Sequence, residues 1–213
     1  SEAKNRIEEC HTYLLKKVEN ESAPIYGVNT GFGSLYDKEV SRDKLTELQV
    51  NLLRSHACGT GDFVPKEIVK TMLLLKAMSL SYGHSGVQLQ TVEKILDLYN
   101  NNVLPVVYEL GSLGASGDLA PLSHLCLPLI GEGEVWSGTD VSEAPKSNHQ
   151  LGPKEGLALI NGTQFMQAYG IHCLLRAKTI LERADKLAAM AIDAYDGRIE
   201  PFLEYSHKIR PHQ

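Results

Sequence analysis

The chain has 213 residues, 43% hydrophobic and 22% charged, with a formal net charge of −5 at pH 7. This composition suits a globular fold with a sizeable core, and with no clustered basic face it argues against nucleic acid as a partner. Four widely spaced cysteines, Cys10, Cys58, Cys126 and Cys173, form no C-x-x-C pair, and no run of about 18 apolar residues occurs. The expectation is a cytoplasmic protein with reduced thiols, no membrane span and no zinc site. The charged start Ser1-Glu2-Ala3-Lys4 reads as the interior of a longer chain rather than a signal peptide.

Residues 4–19 predict an amphipathic helix, with Ile7, Cys10, Tyr13, Leu14 and Val18 on one stripe and a break at 21–24. Next comes Tyr26-Gly27-Val28-Asn29-Thr30-Gly31-Phe32-Gly33, too glycine-rich for a stable helix or strand. It is either a surface turn anchored by Tyr26 and Phe32 or a pocket loop presenting the Tyr26 phenol. No Lys-Ser or Lys-Thr follows, so it is not a phosphate-binding P-loop. Ser41 as N-cap and Asp43 in the first turn predict a helix to about Ser55, with Leu45, Leu48, Leu52 and Leu53 as its apolar face. His56 stands at its end, beside another glycine-rich bend. Such a histidine is structural or solvated unless the fold brings chemistry to it.

Pro65 predicts the opening of a third helix that ends at Gly83, apolar around most of its circumference, with Met72 and Met78 as core filler. Residues 83–86 form a turn. A further helix carries Leu89, Val92, Ile95, Leu96 and Tyr99 and stops at Asn100-Asn101-Asn102, and residues 103–110 are extended.

The stretch Gly111-Ser112-Leu113-Gly114-Ala115-Ser116-Gly117-Asp118 carries the parts for a backbone self-cyclisation. The amide nitrogen of Gly117 can attack the carbonyl carbon of Ala115 and close a five-membered ring. Loss of one water from the ring carbon and one from the Ser116 hydroxyl leaves an exocyclic methylidene, an electrophile that no ordinary side chain supplies. Glycine suits the attacking position because it reaches backbone angles closed to other residues. Small residues before Asp118 and Pro121 also suit an ordinary loop-to-helix junction, so the surroundings must decide.

Residues 119–130 read as a buried helix with His124 as a core histidine, ended by Gly131, and the polar stretch 137–152 reads as an exposed loop. No paired His or carboxylate spacing points to a metal. A short apolar helix then meets Asn161-Gly162, a dipeptide that takes left-handed angles readily; Asn161 is either a cap or an amide fixed at depth. From Thr163 to about Tyr195 the helical pattern exceeds a typical globular helix of ~11–12 residues and predicts a long bundle.

Residues 26–33, Ser55-His56, residues 111–121 and residues 154–164, in that order, together resemble the aromatic amino acid ammonia-lyases. Residues 49–53, Gly86-Val87 and Asp196-Gly197-Arg198 resemble them too, so the likeness runs over essentially the whole chain. It implies an all-α fold, a long-helix bundle with glycine-rich active-site loops of the ammonia-lyase (fumarase/aspartase-like) type. The chain is then a truncated member: residues 1–110 form the N-terminal helical and loop region, residues 111–213 start the central bundle, and the C-terminal half is absent.

The resemblance further implies a 4-methylideneimidazol-5-one group formed autocatalytically from Ala115-Ser116-Gly117, with no external cofactor. Its methylidene carbon takes up the substrate amine and improves the leaving group. Tyr26 is implied as the base for the β-proton and Asn161 as the residue that positions the amine. His56 would contact the substrate side chain, with Gly33 and Gln164 also substrate-binding. Helix N-termini pointing inward would stabilise the electron-rich ring. The assembly implied is a homotetramer whose sites are shared between subunits, acting on a small amino acid and not on nucleic acid or membrane.

Ser55-His56 resembles the histidine-specific members, which implies elimination of ammonia from L-histidine to give trans-urocanate. Tyrosine ammonia-lyase and aromatic aminomutase chemistry are the alternatives, with an inactive helical scaffold as the non-enzymatic one. A fragment lacking the second half is expected to be inactive alone.

Overall fold

The computed structural model describes residues 1–20, 24–33, 40–41 and 44–210. The break expected at 21–23 and the first-turn role of Asp43 lie outside the described residues. The chain divides into two units, Ser1–Tyr169 and Gly170–Gln213.

The first unit is built on helix α3 (Lys66–Leu80), which buries Ile68, Val69, Met72, Leu73, Ala77 and Leu80. Each of these side chains larger than Ala77 contributes on the order of 2 kcal/mol of burial free energy. The helix is one-sided rather than wrapped in apolar contacts, because Met78 and Leu74 remain exposed. Pro65 stands just before the helix as its N-cap residue, with extended backbone angles (φ −54°, ψ 139°). Helix α4 (Leu89–Asn100) packs along α3, and α1 (Glu2–Asn20) adds Ile7 to the same core.

Helices α2 (Leu45–His56), α5 (Leu119–Cys126) and α6 (Glu155–Ile160) pack on one another. α2 starts at Leu45 after Lys44, later than a Ser41 cap would give. α5 ends at Cys126, and residues Leu127–Ile130 continue as a 3₁₀ turn instead of the expected single helix. Pro128 is the reason, since it has no N–H to give the α-helical ladder. Exposed Arg54 reaches from α2 to the turn beyond, and its guanidinium holds the Glu132 carboxyl below the usual carboxylate range.

Two small antiparallel pairs interrupt the helices. β1 (Thr60–Phe63) pairs with β2 (Tyr108–Leu110) through a bulge, and β3 (Glu134–Ser137) forms a hairpin with β4 (Asp140–Glu143). The hairpin lies partly where an exposed loop was expected. Most of its side chains are exposed, so its pairing rests on backbone hydrogen bonds and leaves little hydrophobic signal.

A buried carboxylate ties the later segments together. Glu155 is fully buried and accepts hydrogen bonds from the Gln88 N–H (2.8 Å), the Gly152 N–H (2.7 Å), the Gln88 side-chain amide (2.7 Å) and the Thr91 hydroxyl (2.5 Å). Helix α7 (Gln164–Ala194) begins in the first unit and runs on through the second, matching the long helical pattern. The second unit continues with a 3₁₀ turn Glu200–Phe202 and α8 (Glu204–Lys208). No helix among the described residues is long and apolar enough to cross a membrane, and they contain no cluster of His, Cys, Asp and Glu suited to a metal ion.

Candidate active site

The loop between β2 and α5 is shaped by glycines at positions where a side chain has no room. Gly111 has φ +139°, and a Cβ there would lie 3.1 Å from the Gly59 Cα and 3.2 Å from the Ala120 Cβ. Gly117 has φ +124°, and its Cβ would lie 2.7 Å from both the N and the O of Gly162. The Ala-Ser-Gly backbone is thus pressed against a second backbone, while Ala115 and Ser116 stay exposed.

Asp118 locks this arrangement. It is buried, and its N–H donates to the Gly162 carbonyl at 2.7 Å. One carboxylate oxygen, Oδ1, accepts from the Ser112 hydroxyl at 2.8 Å, and the other, Oδ2, accepts from the Met166 N–H at 3.0 Å. Asp118 occupies the N-cap position of α5 but does not cap it with its side chain. It caps α7 instead, satisfying one of the N–H groups that a first helical turn leaves without a partner. The N-termini of α5 and α7 therefore both reach residues 117–118, and their partial positive charge suits an electron-rich group there.

His56, at the C-terminus of α2, faces the same loop across a cavity of about 180 Å³. Ser55, His56 and Cys58 form one wall; Gly111, Leu113, Ala115, Ser116 and Gly117 form the other, with Leu119 and Ala120 from the start of α5. The His56 Nδ1 lies 2.9 Å from the Leu52 carbonyl and 3.0 Å from the Ser55 hydroxyl; the carbonyl can only accept, which favours the tautomer with its proton on Nδ1. Ligand pockets commonly enclose ~300 Å³ or more, so these walls alone do not surround an amino acid.

The other expected site residues are placed less directly. Asn161 is exposed with extended angles (φ −87°, ψ 112°), neither left-handed nor held at depth within this chain, and it directly precedes the Gly162 that packs on Gly117. Gln164 is buried and lies over Gly162: its Oε1 would be 2.2 Å from a Cβ there, and that oxygen has no hydrogen-bond partner. Tyr26 is exposed, stacks edge-on against Phe32 and accepts a long hydrogen bond from the Gly33 N–H (3.4 Å). Tyr26 and Gly33 do not line the cavity. Their loop nevertheless packs on α6, since a Gly27 Cβ would meet the Leu157 Cδ2 at 2.4 Å.

Two contributors escaped the sequence reading. Asp118 reads in the sequence only as the start of its own helix, and nothing local signals its bond to Met166. His124, expected as a core histidine, is half-buried, and its Nε2 accepts the Gly59 N–H at 3.0 Å. Burial holds its pKa below the usual histidine value, against a weaker opposing pull from Glu134.

The sequence profile of the family described as aromatic amino acid lyase matches residues 1–213. The chain is 44% identical over 99% of its length to histidine ammonia-lyase 2 of Fusobacterium nucleatum, covering 42% of that protein. It is 48% identical over 99% of its length to histidine ammonia-lyase of Deinococcus radiodurans, covering 41% of it. The chain thus spans about two fifths of the length of these relatives. Its fold is that of solved ammonia-lyases and aminomutases. Histidine ammonia-lyase from Trypanosoma cruzi superposes with a TM-score of 0.90 at 37% identity, over 100% of this chain and 43% of that one. Tyrosine aminomutase from Streptomyces globisporus superposes with a TM-score of 0.92 at 34% identity, over 100% and 41%. A chain matched by the profile from end to end, with its Ala-Ser-Gly loop wedged against Gly162 and facing a histidine, belongs to the aromatic amino acid lyase family.

Proposed function

We propose that the protein of which this sequence is part eliminates ammonia from L-histidine to give trans-urocanate. The observation that carries this reading is the single cavity lined by both His56 and Ser116. The identity of 43–48% to proteins named histidine ammonia-lyase supports it. Ala115, Ser116 and Gly117 suit conversion to 4-methylideneimidazol-5-one. Gly117 has the positive φ and the cramped position against Gly162 that favour closing its nitrogen onto the Ala115 carbonyl carbon, with two waters leaving. When present, that group supplies an electrophilic carbon which activates the substrate amine for departure.

The chain's own residues do the rest. His56 receives the substrate side chain, and with Nδ1 bonded to Leu52 its Nε2 is the ring atom left to pair with an imidazole N–H. Asn161 orients the amine beside Gly162, and Gln164 and Gly33 bound the substrate. Tyr26 takes the proton from the β-carbon as ammonia departs. Tyr26 stands in an exposed loop, so its approach to the cavity is completed by parts of the protein beyond this sequence. Homotetrameric assembly fits the family resemblance, and free cysteines fit a cytoplasmic location. The solved aminomutases support a second reading, in which the amine returns to the β-carbon of an aromatic amino acid.

A substrate screen of the full-length protein with histidine, tyrosine and phenylalanine decides between them, alongside His56→Phe and Ser116→Ala. Histidine should be the best substrate. His56→Phe should lower kcat/KM for it by at least about a hundredfold, and Ser116→Ala should abolish turnover. The intact mass should lie about 36 Da, two waters, below the sequence mass. A β-amino acid product would favour the aminomutase reading instead.

A further inference from the structure

His124 lies in the last turn of α5, outside the cavity, yet it touches the backbone that builds one wall of it. Its Nε2 accepts the Gly59 N–H at 3.0 Å, and a Cβ on Gly59 would lie 3.2 Å from the imidazole ring and 3.2 Å from the Leu110 carbonyl. Gly59 is three residues beyond His56. Its Cα is also the atom that leaves Gly111 no room for a side chain, at 3.1 Å. The two walls, residues 55–58 and residues 111–117, therefore meet at Gly59, and His124 holds Gly59 from below. The ring itself is fixed edge-on against Tyr108, with centroids 5.0 Å apart.

We propose that His124 is a positioning residue for the candidate site: as a neutral imidazole protonated at Nδ1, it clamps Gly59 and so sets the spacing between His56 and the Ser116 loop. This rests on the lyase reading only for what is bound in the cavity; the clamp itself stands on the geometry. An N–H donor at Gly59 requires a lone pair on Nε2, so protonation there would set donor against donor and release the clamp. Among the described residues, the titratable neighbours of the ring are Tyr108 on β2, stacked edge-on against it, and Glu134 on β3. Of these, Glu134 acts on the ring and favours the cation, but burial outweighs it and keeps the neutral form. The clamp is thus closed at neutral pH and opens on acidification.

The test uses the full-length protein with His124→Phe, which removes the acceptor, and His124→Gln, whose amide oxygen replaces it without titrating. Amide hydrogen exchange of the peptide carrying Gly59 should rise about tenfold in His124→Phe, the scale of one lost hydrogen bond, and remain near the parent in His124→Gln. KM for L-histidine should rise about tenfold in His124→Phe with kcat changed less than about threefold. Protection of the Gly59 amide, relative to its intrinsic exchange rate, should fall in the parent as pH falls and should not in His124→Gln. Exchange and KM both unchanged in a folded His124→Phe would overturn the proposal. If that variant does not fold, an acid-induced loss of Gly59 protection that survives in His124→Gln overturns it. If exchange responds as expected but no form turns over histidine, the clamp stands and the lyase reading falls.

Discussion

Gly117 and Gly114 both have positive φ, +124° and +74°, but a methyl group would meet different surroundings at each. At Gly114 nothing lies within 4 Å, so Gly114→Ala carries only the conformational penalty of roughly 1–2 kcal/mol. At Gly117 the new atom would lie 2.7 Å from two Gly162 backbone atoms that cannot swing aside. Gly117→Ala should therefore cost clearly more in a denaturant titration, and in the full-length protein it should abolish the two-water mass loss, whereas Gly114→Ala should keep it. Lys76 offers a second measurement. It is buried, with its ammonium 3.1 Å from the Ala158 carbonyl, and burial lowers its pKa to about 8, while burial pushes the Cys126 thiol up to about 12. Between pH 8 and 9 the unfolded lysine holds a proton that the folded one has lost, so stability should rise by about 1 kcal/mol. Above about pH 9 the unfolded thiol ionises while the folded one does not, which opposes the rise. Denaturation curves should show a broad maximum between about pH 9 and 10. Lys76→Met should remove the rise and Cys126→Ala the fall. The sequence singles out the Ala-Ser-Gly loop and His56 as candidates because both depend on residue type, and the structure places them on one cavity. The sequence conceals the work of Asp118 and His124, because each acts through a backbone N–H far away in the chain.

At the scale of elements, α6 is held less by its short apolar face than by the carboxylate at its start. Removing Glu155 strands the donors of Gln88, Thr91 and Gly152 in a buried setting. Glu155→Ala should lower stability by about 3 kcal/mol or more, read by urea denaturation, and should loosen Asn161-Gly162, which α6 delivers to Gly117. The helices themselves were legible. α1, α3, α4 and α7 fall within a few residues of their hydrophobic patterns; α1, α3 and α4 bury that stripe, whereas α7 carries the pattern with most of its apolar side chains exposed. The hairpin of β3 and β4 was not. Its second strand buries no residue, so no alternation marks it. The end of α5 was misjudged because its apolar run continues past the point where Pro128 stops the α-helical ladder.

For the whole molecule, the second unit presents Leu174, Leu175, Ile180, Leu181, Leu187 and Met190 to solvent, each more than 60% exposed. So many exposed apolar side chains along one helix exceed what a soluble monomer ordinarily tolerates. The 213-residue chain alone should associate in a concentration-dependent way in sedimentation experiments, and Leu181→Glu should weaken that association. It should also form no urocanate, in keeping with a cavity too small to enclose an amino acid. The bonds from Asp118 to Gly162 and Met166 carry a consequence in time. The tripeptide at 115–117 is complete long before the residues that brace it have been synthesised. At a translation rate of ~5–20 residues per second, the brace arrives seconds later. On the proposed reading, ring closure would wait until the loop has this partner, and a nascent chain released early would carry an ordinary serine there.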